Sequence, residues 1–266
     1  MRAVEISKFG PPEVLRFCEI PVPGVEEGDV RVRVRAIGLN FADVFARLGY
    51  YPGIPKPPFV PGIEFAGTVE SVGKSVKTFR KGDRVFGFTR QKAYAEYVAV
   101  PATLVLRMSK RMSFEEAAAF GVTYLMAFHA LITLGQMKKG ESLLLHAAAG
   151  GVGTAALQIA KHLGVRVYAT VGSHSKTQTA RDLGAAVVIN YTEEDFAEIV
   201  RQETNGQGVD VILDSVGGKV FRKGWKLLRP MGRYVLYGFA AIAGRKGVSK
   251  IKALIESASV PLIYPP

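Results

Sequence analysis

The run Leu144-Leu145-His146-Ala147-Ala148-Ala149-Gly150-Gly151-Val152-Gly153, continuing into Thr154–Leu163, decides the fold. An apolar strand opens onto a glycine-rich turn, and the turn opens a helix. That order brings the backbone close to a pyrophosphate, with the helix N-terminus supplying N–H groups and positive dipole. The first glycine of the usual fingerprint is replaced by Ala147 or Ala148, depending on alignment. Ala149, Gly150, Gly151, Val152 and Gly153 are therefore expected to cradle the phosphates of a dinucleotide.

Reading outward, strands and helices alternate. The strand Ser142–Ala148 and helix Val152–Leu163 are followed by a strand at Arg166–Val171 and a helix at Lys176–Leu183. A strand at Ala186–Ile189, a helix at Glu194–Gln202 and a strand at Val209–Asp214 come next. A helix at Lys219–Leu228, a strand at Arg233–Tyr237 and an amphipathic segment at Ser249–Ser257 complete the series. This spacing predicts a doubly wound parallel sheet in an α/β domain. Upstream, Ser113-Phe-Glu-Glu116 is a capping box that opens a helix-rich stretch reaching about Lys139. The first hundred residues read differently. Val30–Ala36 alternates Val with Arg, which puts three arginines on the wet side of one strand. Short β runs at Ala66–Val72, Arg84–Phe88 and Tyr94–Val100, with turn signals between them, predict a small barrel or sandwich. The expected division is a β-rich domain over 1–118 and a dinucleotide-binding domain over 119–266.

Composition narrows the class. In 266 residues, 48% hydrophobic and 22% charged residues describe a folded chain. The single cysteine, Cys18, excludes an intrachain disulfide and every zinc site built on two or more cysteines. The formal charge of +12 is unevenly spread: residues 215–266 carry 10 basic residues against Glu256 alone. No blanket of positive potential covers the protein, and the cluster Arg222, Lys223, Lys226, Arg229 and Arg233 reads as solvated surface. The N-terminus lacks the apolar run of a signal peptide, and Ala117–Met137 reads as a buried helix rather than a bilayer span. The expected location is the cytoplasm.

The strand after the glycine turn selects the dinucleotide. NAD sites end that strand with a carboxylate for the ribose hydroxyls. Here Val167–Val171 leads into Gly172-Ser173-His174-Ser175-Lys176, and no acid appears before Asp182. Ser173 and Lys176 suit a 2′-phosphate, which points to NADPH.

Six motifs then carry a resemblance. Gly38-Leu-Asn-Phe-Ala-Asp43, Pro61-Gly-Ile-Glu-Phe-Ala-Gly67, Lys81-Gly-Asp-Arg-Val85, His146–Gly153, Ile189-Asn-Tyr191 and Asp214-Ser-Val-Gly217 occur in family order. The chain resembles the zinc-free quinone oxidoreductase branch, with zeta-crystallin and vesicle amine transport-like proteins, of the medium-chain dehydrogenase/reductase superfamily. The resemblance covers essentially the whole chain. It implies a GroES-like catalytic domain joined to a Rossmann domain. Asn40 and Ile63 stand where the metal-dependent relatives have a cysteine and a histidine ligand, so no metal site is expected.

The resemblance further implies direct hydride transfer from NADPH to a quinone or, equally compatible with these residues, to an α,β-unsaturated carbonyl. It places Asn40 and Tyr51 as hydrogen-bond donors to the acceptor carbonyl and Thr123 near the nicotinamide. Gly172, Ser173, Lys176 and Tyr191 fall around the adenosine phosphate, with Ser215 and Gly238 lining the cofactor from later strand ends. A non-catalytic NADPH-binding protein associated with RNA or vesicles is the rival from another class. Relatives continue beyond the position of Pro266 with a further strand that helps pair two subunits. The chain therefore reads as a truncated reductase, with a homodimer expected of the longer form and doubtful for this length.

Overall fold

A computed structural model describes residues 1–243, and the chain divides between Val122 and Thr123 into two units. The amphipathic segment expected at Ser249–Ser257 lies outside the described residues.

In the first unit, β1 (Arg2–Ile6) and β2 (Leu15–Glu19) form an antiparallel hairpin. After β3 (Asp29–Ile37) come the helix α1 (Phe41–Leu48), β4 (Glu64–Val72), β5 (Arg84–Phe88), β6 (Tyr97–Pro101) and β7 (Val105–Arg107). These strands make one antiparallel sheet in the order β6-β3-β4-β5-β7. Alternation in β3 sends Val30 and Val32 into a core with Phe65, Val69, Val85 and Val98. Arg33 and Arg35 are exposed, as the pattern requires. Arg31 is not merely solvated: its Nε donates to Glu70 of β4 at 2.7 Å and its Nη1 to the Pro23 carbonyl at 2.8 Å. The strand expected from Tyr94 starts at Tyr97. Tyr94 is bonded elsewhere, its N–H to Pro61 at 3.0 Å and its carbonyl to Val4 at 2.9 Å.

The capping box forms as read. Ser113 N–H donates to Glu116 Oε2 at 2.8 Å and Glu116 N–H to Ser113 Oγ at 3.1 Å. It opens α2 (Phe114–Phe128), which continues as a wider π turn over His129–Leu134. The sequence suggests a buried helix here, and the structure corrects that. Beyond the glutamates of its first turn the helix is apolar all round, and Ala127, Ala130 and Leu131 enter the core while Leu125, Phe128 and Leu134 stay exposed. About a third of its apolar window is buried, and by length and composition alone Phe114–Leu134 is long enough to cross a bilayer.

The second unit alternates as the sequence predicts: β8 (Ser142–Leu145), α3 (Gly151–Leu163), β9 (Arg166–Val171), α4 (His174–Asp182) and β10 (Val187–Asn190). Then come α5 (Phe196–Glu203), β11 (Val209–Asp214), α6 (Lys219–Trp225) and β12 (Leu228–Leu236). The sheet is parallel throughout, in the order β10-β9-β8-β11-β12. Period two divides each strand between two cores. Leu143, Leu145, Val167 and Ala169 face Ala155, Ala156 and Leu157 of α3, whereas Leu144, Tyr168 and Ile212 face Phe196 and Val200 of α5. Both faces are covered, so the strands read as unbroken apolar runs.

The basic cluster of this unit is largely engaged. Lys223 pairs with Asp195 at 2.7 Å and Arg229 with Asp210 at 2.7 Å. Arg233 grips Glu141 with two bonds of 2.9 and 2.7 Å and holds its carboxyl below the usual carboxylate range. Behind β11, the fully buried Asp214 carboxylate accepts from Val216 N–H at 2.6 Å, Gly217 N–H at 3.1 Å and the Tyr234 hydroxyl at 2.8 Å. These bonds fix the turn that leaves the sheet at Ser215. Removing one donor from a buried carboxylate costs about 1–3 kcal/mol. Tyr234→Phe should therefore lower the urea unfolding free energy by about that amount; an unchanged midpoint would contradict the assignment.

Candidate functional site

The order of the parallel sheet reverses between β8 and β11, and a crevice opens at such a switch point beyond the carboxyl ends of the strands. The glycine turn stands there. β8 stops at Leu145, short of the expected Ala148, because Ala147 enters the left-handed region at φ 54°. That settles which alanine occupies the strained position: Ala147, at a cost of about 1–3 kcal/mol for a residue with a Cβ. Gly150 is extended and precedes the first helical residue, Gly151, with no side-chain cap over the helix end. At Gly153 a Cβ would stand 2.5 Å from the carbonyl oxygens of both Ala147 and Ala148. The turn and the helix are thus packed backbone to backbone. The bare N-terminus of α3 has the form that a pyrophosphate requires.

The other residues expected around a dinucleotide collect along the same edge. Thr123 borders the turn, its methyl group 2.8 Å from where a Cβ on Gly151 would be. Gly172 follows β9, and the Tyr191 hydroxyl lies 2.5 Å from the position of a Cβ there. Ser173 precedes α4, with its Oγ 3.0 Å from Ser175 Oγ, and Lys176 is exposed in the first turn of that helix. Ser215 and Gly238 adjoin, since a Cβ on Gly238 would stand 2.9 Å from the Ser215 carbonyl. β9 brings no carboxylate, but the loop after β10 does: Glu193 Oε2 lies 3.0 Å from His174 Nε2. That neighbour comes from a different βα connection and is not visible in the strand that selects the dinucleotide.

A cavity of about 440 Å³ opens at this edge, lined by His146, Thr170, Tyr191, Phe196, Val216 and Lys219 among others. His146 is 2% exposed. Its Nδ1 is 3.0 Å from Thr170 Oγ1, and its ring meets Phe196 edge to face at 4.9 Å. Its Nε2 has no partner. Burial holds the imidazole down at about 4, against the pull of the Asp214 carboxylate, so the ring is neutral at pH 7. The sequence assigns all four histidines to structure; His146 is packed into the core, and its residue forms part of the cavity wall.

The first unit carries a polar cluster of its own. Asn40 precedes α1, and its backbone N–H donates to Asp43 Oδ2 at 2.8 Å, closing the first turn. Its side-chain amide donates to Glu64 Oε1 at 2.7 Å, leaving one amide hydrogen uncommitted. Glu64, 2% exposed, also accepts from Val122 N–H at 2.8 Å. Tyr94 donates to Asp43 at 3.1 Å. Burial pushes both carboxyls up, while their hydrogen bonds pull them back. Gly62, at φ 98°, is required here, because a Cβ would run into the Tyr94 ring.

Asp43 and Tyr51 both line a cavity of about 430 Å³; Asn40 is not among its lining residues. Asp43, Glu64 and Tyr94 are not among the residues expected from sequence. The Asn40-Phe-Ala-Asp43 spacing, a capping pattern at a helix start, is the signal that could have found Asp43. Ile63 lines the cavity where metal-dependent relatives have a ligand. Among the described residues, no group of three or more His, Cys, Asp or Glu side chains is placed to share a metal ion.

Comparison with known proteins accords with both halves. Residues 26–110 match the alcohol dehydrogenase GroES-like domain family and residues 151–259 the zinc-binding dehydrogenase family. The synaptic vesicle membrane protein VAT-1 homolog of Danio rerio is 42% identical over 84% of this chain, which spans 46% of that relative's length. The quinone oxidoreductase of Lama guanicoe is 37% identical over 90% of this chain and 73% of its own length. The structure of Escherichia coli quinone oxidoreductase complexed with NADPH superposes with a TM-score of 0.85 at 36% identity. It covers 96% of this chain, which covers 78% of it. The turn itself is open to test. Forcing a methyl group against two carbonyls costs about 1–3 kcal/mol, so Gly153→Ala should lower unfolding stability by that much. Unchanged stability would show that the turn has slack.

Proposed function

Because the chain belongs to the quinone oxidoreductase and VAT-1-related branch of the medium-chain dehydrogenase/reductase superfamily, we propose that it is an NADPH-dependent, metal-independent oxidoreductase that reduces quinones. The observation that carries the cofactor half is the end of β9. Gly172 and Ser173 lead into α4 with Lys176 in its first turn and no carboxylate from that strand, beside the Tyr191 hydroxyl. A 2′-phosphate would take charge-assisted bonds from Lys176 and hydroxyl donors there, and a carboxylate at that place would repel it. The bare end of α3 would hold the pyrophosphate, and Ser215 with Gly238 would flank the remainder.

When bound, NADPH supplies the hydride. The chain's own part is to hold an electron-poor carbonyl, exclude water and steady the oxygen that gains charge. Tyr51, on the cavity of the first unit, has a hydroxyl suited to that oxygen. Asn40, the other donor expected from the sequence, is not among the residues lining that cavity, and its amide is held by Glu64. Ile63 and Asn40 offer neither an imidazole nor a thiolate, which supports chemistry without zinc. Enone reduction is the second reading, and Asp43 favours it. A half-buried carboxyl with a raised pKa, on the same cavity and bonded to Tyr94, suits delivery of the proton that an α-carbon needs. The nucleic-acid and vesicle reading gains little from the basic cluster, where Lys223, Arg229 and Arg233 are already in ion pairs. We place the protein in the cytoplasm.

Oxidation of NADPH by a panel of quinones and enones tests the activity; reduction of neither would refute it. Loss of one charge-assisted bond to the 2′-phosphate is worth about a tenfold change. Lys176→Ala should therefore raise the KM for NADPH by about tenfold and leave that for NADH unaltered. An unchanged NADPH KM would reverse the cofactor assignment.

A further inference from the structure

The cavity of the first unit carries one cationic wall residue, Arg90, whose chemistry the proposed reaction does not use. Its setting is built. Thr89 N–H donates to Ile63 at 2.9 Å and Lys92 N–H to Val60 at 3.0 Å, so both ends of the turn are tied to the 60–63 segment. Inside the turn, Thr89 Oγ1 donates to the Gln91 carbonyl at 2.6 Å. Lys92 sits at φ 75°, a left-handed conformation that a residue with a side chain holds only when its surroundings impose it. The turn is therefore pinned and strained, and it lines the cavity with Thr89, Gln91 and the exposed Arg90.

The guanidinium has no counter-ion. Among the described residues, no salt bridge or hydrogen bond engages Arg90. The carboxylate on the same cavity, Asp43, is satisfied by Asn40 N–H, Tyr94 Oη and Gly62 N–H instead. Much of the remaining wall is apolar, with Ala46, Ile54, Phe59 and Phe88. An unpaired, forked cation beside an apolar cavity matches a ligand with an apolar body and a terminal oxyanion.

Resting on the reading of this protein as a carbonyl-acceptor reductase, we propose that Arg90 determines acceptor specificity. It would select quinones or enones that bear a carboxylate, sulfonate or similar oxyanion, by pairing with that group. The test compares 1,2-naphthoquinone-4-sulfonate with 1,2-naphthoquinone, in the wild type and in the Arg90→Ala and Arg90→Lys variants. The readout is the ratio of kcat/KM, sulfonated over neutral acceptor, which cancels changes common to both. One lost charge-assisted pair shifts it about tenfold. The ratio should fall by that factor in R90A, through KM, and be partly retained in R90K, while rising salt should lower it in the wild type. A ratio that is the same in all three proteins overturns the proposal.

If the wild type reduces neither quinone, the activity reading fails on its own. Binding of naphthalene-1-sulfonate, followed by calorimetry, then decides this one separately. About tenfold weaker binding in R90A upholds the oxyanion site, and equal binding, or none in the wild type, rejects it.

Discussion

The close approach of α3 to the turn after β8, at Gly153, is the constraint on which the second unit depends. Two carbonyl oxygens occupy the space of a Cβ, so the backbone can pass from strand to helix only if that side chain is missing and Ala147 accepts a left-handed turn. Meeting both conditions points the bare N-terminus of α3 into the crevice where the strand order reverses. The packing of Ala155, Ala156 and Leu157 against Leu143 and Leu145 then locks the helix in that direction. A dipole and a set of N–H groups are thereby held in place before any ligand arrives, which is what preorganised binding of a phosphate requires.

The first unit solves a different problem with buried charge. Two carboxyls, Asp43 and Glu64, sit in a region of low polarity and are kept there by donors from separate segments: the start of α1, the N–H of Val122 and the hydroxyl of Tyr94. Removing any one donor would leave a carboxylate under-bonded, so the cluster fastens α1, β4 and the 93–96 segment together. Fastening them shapes the cavity that Tyr51 lines and fixes the turn that presents Arg90. Asn40 is held by hydrogen bonds to Asp43 and Glu64, and Ile63 is an apolar part of the cavity wall.

Elements of both units are legible in sequence where their signals are local. Arg84–Phe88, Arg166–Val171 and Val209–Asp214 begin and end where composition places them, and the Ser113–Glu116 capping box forms as read. What escapes is long-range. The Glu64–Asn40 bond spans 24 positions and the Tyr94–Asp43 bond 51, so no window contains both partners. The orphaned Nε2 of His146 is likewise a property of the packing around it and not of its neighbours in the chain. The exposure of α2 is misjudged for a related reason, since an all-round apolar helix does not say which of its sides is covered.

The central claim is that the carboxyl edge of the second unit recognises a dinucleotide through its 2′-phosphate. The most direct measurement is competition: displacement of bound NADPH, followed by its fluorescence, with 2′,5′-ADP and with 5′-AMP. These competitors differ by that one phosphate. 2′,5′-ADP should displace NADPH at a concentration at least about tenfold lower than 5′-AMP, since the charge-assisted contacts proposed at Ser173 and Lys176 would be available to it alone. Equal displacement by both, or the lack of any saturable NADPH binding, would contradict it.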